Sequence, residues 1–163
     1  MKSLIAVALI ILIAGCYSRN PEKTGLEGKA LPSYDFLSVD SVTHVNTGNT
    51  VEGKPIVLFF FGPSCPYSHA QMQEIIEDID NLKNIQFYIL TISPFNQMKQ
   101  FYTHYQLNKY PNIVIGLDYK NSFDEYFAVP GVPYTVIYGK DKKMRGAFVG
   151  KIYSRQIKEV AEK

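Results

Sequence analysis

Cys65 is the residue of this sequence best placed to do chemistry. It follows Gly62-Pro63-Ser64 at the end of an apolar run and is followed at once by Pro66 and an amphipathic stretch. It therefore falls where a buried strand should give way to a helix. At a helix start the first backbone N–H groups and the helix dipole favour a thiolate over a thiol, and a proline at the first helical position forfeits no hydrogen bond. Such a thiolate is a nucleophile, above all toward a disulfide. His69 lies four residues further on and would share a helical face with Cys65, so the pair could hold a soft metal such as Cu(I) or Zn(II), although two ligands are few. His44 and His104 have no cysteine or acidic neighbour at a telling spacing and are expected to be structural or exposed. No Ser-His-Asp order, phosphate-binding glycine loop or paired-carboxylate motif occurs in the strand context it needs, so a hydrolase is unsupported and no cofactor is implied.

The other cysteine, Cys16, has a different setting. Met1-Lys2-Ser3 is a short positive start, Leu4 to Ala14 is an unbroken apolar run of eleven residues, and Gly15-Cys16 closes it. Eleven residues are too few to span a bilayer, which takes about 20, and suit the hydrophobic part of an export signal. Leu12-Ile13-Ala14-Gly15-Cys16 resembles the bacterial lipobox, in which the cysteine is acylated and becomes the new N-terminus. The expected organisation is a lipoprotein signal peptide over residues 1–15, a lipidated tether over 16–25 and one folded domain over 26–163. More than one acyl chain on Cys16 would satisfy the requirement for stable membrane anchoring. Tyr17 is not the aspartate associated with inner-membrane retention, so the outer membrane, facing the periplasm, is the expected site.

Composition narrows the class further. With 163 residues the chain has room for one domain, and 46% hydrophobic and 13% aromatic residues can fill one core. Seventeen basic residues stand against fifteen acidic ones, so no long-range field favours a polyanion and nucleic acid is not an expected partner.

The elements that must position Cys65 can be read from periodicity. Ile56-Val57-Leu58-Phe59-Phe60-Phe61, bounded by Pro55 and Gly62, reads as a fully buried strand. Tyr67 to Leu82 carries Met72, Ile75, Ile76, Ile79 and Leu82 at helical spacing. Ile85 to Ile92 is a second strand, Pro94 to Leu107 a second helix, Asn112 to Leu117 a strand and Ser122 to Phe127 a short helix. Pro133 to Tyr138 and Met144 to Val149 flank the polar turn 139–143 as an antiparallel pair, and Ser154 to Lys163 is a terminal helix with a serine cap. Tyr34 to Leu37 and Val42 to Val45 form an additional hairpin upstream. The alternation of strand and helix implies an α/β domain whose parallel strands are joined by crossover helices.

Several stretches together resemble the thioredoxin fold, in its membrane-anchored redoxin or TlpA-like branch. They are Gly28 to Tyr34, Glu52-Gly53-Lys54-Pro55 leading into the buried strand, Cys65-Pro66-Tyr67-Ser68 in the place of the CxxC active site, and Val129-Pro130-Gly131-Val132-Pro133-Tyr134-Thr135. The resemblance covers about residues 26 to 163. It implies a central mixed sheet flanked by helices with an N-terminal hairpin extension, and a cis Val132–Pro133 bond set against Cys65. The groove beside Val132, Pro66 and Tyr67 would then receive an extended substrate chain. Protein thiols or disulfides of the cell envelope would be the partners.

The departures are as informative. Ser68 stands where the family's second cysteine would be, Ser64 where a tryptophan usually precedes the first, and Phe59 where a buried acid would lie. A hydroxyl cannot resolve a mixed disulfide. The expected chemistry is accordingly one-cysteine thiol–disulfide exchange, with Cys65 as nucleophile, Ser68 as a supporting hydroxyl and Pro133 beside them. The alternatives are a non-catalytic binding module using the same groove and, third, metal binding by Cys65 and His69.

Overall fold

The computed structural model describes residues 18–50 and 52–163; residues 1–15, expected to be an export signal, and Cys16 lie outside them. A seven-stranded mixed sheet has the order β2-β1-β5-β4-β3-β6-β7. Its strands are β1 (Asp35–Ser38), β2 (His44–Asn46), β3 (Ile56–Phe60), β4 (Gln86–Thr91), β5 (Ile113–Leu117), β6 (Tyr134–Tyr138) and β7 (Met144–Val149). β3, β4 and β5 run parallel, while β6 pairs antiparallel with β3 and with β7. The hairpin β1–β2 extends the sheet through an antiparallel pairing with β5. That contact is close, since a Cβ at Gly116 would run into the Phe36 ring.

Among the described residues there are five α-helices: α1 (Pro66–Glu77), α2 (Ile79–Leu82), α3 (Phe95–His104), α4 (Ser122–Phe127) and α5 (Ser154–Ala161). The two-residue period of β3 divides the core. Val57, Phe59 and Phe61 pack with Met72 and Ile75 of α1, Met98 and Phe101 of α3 and Ile157 of α5. Ile56, Leu58 and Phe60 face Phe123 and Phe127 of α4 and the hairpin's Phe36. Every residue of β3 is buried because both faces are covered, which is why its sequence is apolar without alternation.

The expected helix from Tyr67 to Leu82 is broken in two. Asp78 leaves helical geometry at φ −113°, and its carboxylate, held below the usual range by the Ser154 hydroxyl and the Asn81 amide, offers the chain a competing local bond. Ser154 is also not the cap of the last helix. Tyr153 occupies that position, and the Ser154 N–H instead donates to Glu74 Oε1 of α1 at 3.0 Å. The second long helix stops at His104, short of Leu107, which begins a separate 3-10 turn over Leu107–Lys109.

Residues 18–25, the described part of the expected 16–25 tether, are mostly exposed but tied down. The Glu22 N–H donates to the Ala147 carbonyl, the Gly28 N–H to Met144 and the Leu31 N–H to Lys142, so residues 19–31 form a strap along the free edge of β7. Among the described residues no helix is long and apolar enough to cross a membrane.

Glu74 joins α1 to the start of α5 through Lys151 Nζ at 2.7 Å and the Ser154 N–H. Burial pulls its carboxyl upward, but these two partners outweigh burial and hold it below the ordinary value of 4.5. A depressed carboxyl contributes stability that is present above the unfolded value and lost as pH falls through the folded one. Glu74→Gln is therefore expected to lower stability by about 1 kcal/mol at neutral pH. In urea titrations the gap between variant and parent should close once the pH drops below the carboxylate range; a gap independent of pH contradicts this account.

Candidate functional site

The site is built where β3 ends. Phe61 still pairs with β4, its N–H donating to the Leu90 carbonyl at 2.9 Å, and the chain then turns through Gly62-Pro63-Ser64. The turn is closely packed at Gly62, where a Cβ would lie 3.1 Å from Val132 Cγ2 and 3.4 Å from Cys65 Cβ. The Cys65 N–H closes the turn on the Gly62 carbonyl at 2.9 Å. Cys65 then serves as the N-cap residue of α1, with Pro66 at the first helical position and no side chain capping the helix. Its thiol is partly exposed and unoxidised.

Opposite it, the Val132–Pro133 peptide bond is cis. Cys65 Sγ donates to the Val132 carbonyl at 3.5 Å, so the two sequence segments, 67 residues apart, meet at the thiol itself. The Pro133 carbonyl accepts the Gly150 N–H at 2.8 Å, which ties this loop to the end of β7. Tyr67, in the first turn of α1, is 68% exposed and stands free at the rim. The adjoining Tyr134 is buried in β6, and its hydroxyl is pushed up to about 12 by that burial and by Glu22 and Glu27 of the strap.

Ser68 has a different place from the one expected. It is fully buried, and its Oγ accepts the Gly62 N–H at 3.2 Å. The hydroxyl therefore holds the turn that carries Cys65 rather than facing a substrate. Phe59 is fully buried, with its ring 6.0 Å from that of Phe61, and supplies no proton acceptor. Across the β3–β6 ladder from it sits Thr135, whose buried hydroxyl has no hydrogen-bond partner.

His69 is occupied on both ring nitrogens. Nε2 lies 2.8 Å from the Pro63 carbonyl, which can only accept, so Nε2 carries a proton; Nδ1 lies 2.7 Å from the Tyr105 hydroxyl. The ring bridges the turn to α3 and has no nitrogen left over to join Cys65 on a metal without breaking one of these bonds. Among the described residues no group of three or more His, Cys, Asp or Glu could hold a metal ion. The sequence reading missed this clamp, since Tyr105 follows His69 by 36 residues and nothing in local spacing joins them. Ser64 and Pro63 line, with His69, Gln97, Phe101 and His104, a recess of about 240 Å3 beside the turn.

A cysteine at a helix start that faces a cis-proline loop across the end of a central strand defines a thioredoxin-type site. Residues 49–163 match the family model for the thioredoxin-like domain, and the chain belongs to that family. Its fold is similar to the solution structure of a protein from Neisseria meningitidis assigned as a thioredoxin, at 21% identity and TM-score 0.65, covering 82% of this chain and 87% of that one. It is similar also to a secreted Mycobacterium tuberculosis disulfide oxidoreductase, at 19% identity and TM-score 0.62, covering 78% and 91%. StoA from Bacillus subtilis matches at 16% identity and TM-score 0.62, covering 82% and 99%. Among curated proteins none matches.

Ser68→Ala is expected to cost about 1–2 kcal/mol, because the Gly62 N–H loses its acceptor in a partly buried turn. Urea unfolding of the purified variant measures this. A loss of no more than a few tenths of a kcal/mol would show that the bond contributes nothing to the turn.

Proposed function

We propose that the protein is an exported, lipid-anchored thiol–disulfide exchange protein working through Cys65 alone. The observation that carries this reading is the approach of Cys65 Sγ to the Val132 carbonyl beside cis-Pro133, at the start of α1. An extended substrate chain laid beside Val132, between Pro133 on one side and Pro66 and Tyr67 on the other, would present a disulfide sulfur to the thiolate. The Cys65 sulfur forms a bond to one substrate sulfur, the substrate S–S bond breaks, and the second substrate sulfur leaves as a thiolate. No second cysteine follows, and the buried Ser68 hydroxyl is a poor nucleophile already engaged with Gly62. An external thiol, as its thiolate, therefore attacks the substrate sulfur of the mixed disulfide, and Cys65 leaves as a thiolate again. Electrons balance over the two exchanges, and the external thiol ends in a disulfide with the substrate.

The apolar run before Cys16 and the lipobox-like residues support cleavage after Gly15 and acylation of Cys16, which would hold the domain in the cell envelope, at the outer membrane facing the periplasm. A second reading, a binding module that retains the groove without the reaction, is favoured by the loss of a proton acceptor at Phe59.

Two experiments decide between these. Mixed disulfides trapped in the native envelope should appear on non-reducing gels with Cys65 and vanish in Cys65→Ala. Ser68→Cys should shorten their lifetime by at least about tenfold, since the resolving thiol is then intramolecular. Capture of the same partners with and without Cys65 would establish the binding module instead. Separately, Cys16→Ala should release the protein from membranes; persistent acylated, membrane-bound protein contradicts the anchor.

A further inference from the structure

The strap fixes which end of the molecule the anchor would reach. It runs antiparallel to β7, meeting Leu31 at Lys142, Gly28 at Met144 and Glu22 at Ala147, so the chain enters at the C-terminal end of β7. There Arg19 is held at three points. Its Nη1 donates to the Val149 carbonyl at 2.7 Å, its N–H to Gln156 Oε1, and its carbonyl accepts from Gln156 Nε2. Val149 is paired with Tyr134, and Tyr134 with Phe60 at the end of β3. The entry point of the chain and the turn carrying Cys65 thus lie at the same pole of the sheet. They are separated by β6 and β7, about 15 Å at three interstrand spacings.

Cys16 precedes Arg19 by three residues, which span at most about 11 Å when fully extended. A lipid on Cys16 cannot be far from this pole while the Arg19 contacts hold. We propose that the Cys65 pole faces the phospholipid headgroup layer, so that exchange is confined to disulfides presented close to the membrane surface. The inference rests on the lipid-anchor reading. The chemistry of the pole agrees with an interfacial position. Tyr67 and Tyr153 are 68% and 48% exposed, and Arg19 and Lys151 lie on the same side, with Lys151 Nζ 4.9 Å from the centre of the Tyr153 ring. Exposed tyrosines with arginine and lysine are the residue types enriched at membrane–water interfaces. Of the acids on this side, Glu74 is paired with Lys151, Asp35 with Lys120, Asp118 accepts the Ser122 and Phe123 N–H groups, Glu22 belongs to the strap, and Asp124 and Glu125 lie in the first turn of α4. The opposite pole carries Lys54, Lys83 and Lys109 around a recess of about 430 Å3, and could compete for an anionic surface only if the strap came away.

The test uses the full chain, lipidated in cells and reconstituted in vesicles of phosphatidylethanolamine and phosphatidylglycerol. The thiol of Cys16 is blocked by its lipid, so maleimides report on Cys65. A small maleimide should react at the same rate in the anchored protein and in a variant carrying about 20 Gly/Ser residues between Tyr17 and Ser18, a linker whose mean reach is about 25 Å. A polymer-linked maleimide should react at least about tenfold more slowly with the parent than with the linker variant. Equal polymer rates in a protein that floats with the vesicles overturn the orientation and leave the anchor standing. A protein that fails to float overturns both, while trapping by Cys65 of a soluble domain remains a separate measurement of the exchange reading.

Discussion

Everything at the site is referred to the end of β3, because that strand is buried on both faces and paired on both edges. It lies between β4 and β6, is covered by α1, α3 and α5 on one face and α4 on the other, and has no solvent-facing side chain. Shifting its register by one residue would exchange Phe59 and Phe61 with Leu58 and Phe60 between two packed layers. The turn that follows inherits this rigidity through three contacts. The Gly62 carbonyl receives the Cys65 N–H, the Gly62 N–H reaches Ser68, and His69 returns to Pro63. A cysteine on such a turn is positioned before any substrate arrives, and little ordering entropy is left for the bound state to supply.

The same logic separates what could be read in the sequence from what could not. β3 and the start of α1 were legible because burial on both faces and a 3.6-residue apolar stripe are local patterns. The break at Asp78 was not, since the apolar spacing through Ile79 and Leu82 continues as if the helix did; the competing bonds come from Asn81 and from Ser154, a residue of another element. Ser68 was assigned a chemical part from its place in the Cys65-Pro66-Tyr67-Ser68 run, yet burial turns its oxygen to the backbone. The His69–Tyr105 clamp was invisible for the reason most tertiary hydrogen bonds are, that neither residue type announces its partner. The meeting of Cys65 with Val132 came only through resemblance, as nothing in the composition of either segment points to the other.

The strap shows a further blind spot. Its first residues, up to Gly25, are mostly exposed and aperiodic, features that read as a loose tether. What binds it is backbone: an edge strand offers unpaired N–H and C=O groups to any extended segment of suitable length, whatever its side chains. Side-chain patterning carries no information about such pairing. Arg19 adds side-chain contacts at the end nearest the site, and further along Leu26 and Leu31 pack against the core.

Covering β7 in this way solves one problem by creating a constraint elsewhere. An open edge of six residues would be a template for pairing with a second chain, and β2, at the far edge, avoids that by being only three residues long. The strap protects the longer edge, but in doing so it removes the freedom of the N-terminal segment to act as a swivel. Gly150 lies between Val149, which receives the Arg19 guanidinium, and the Pro133 carbonyl, so the strap, β7 and the cis-proline loop form one connected unit. The N-terminal segment is thus coupled through β7 to the loop that faces Cys65, and the contacts that fix its path at this pole are continuous with those that fix the loop.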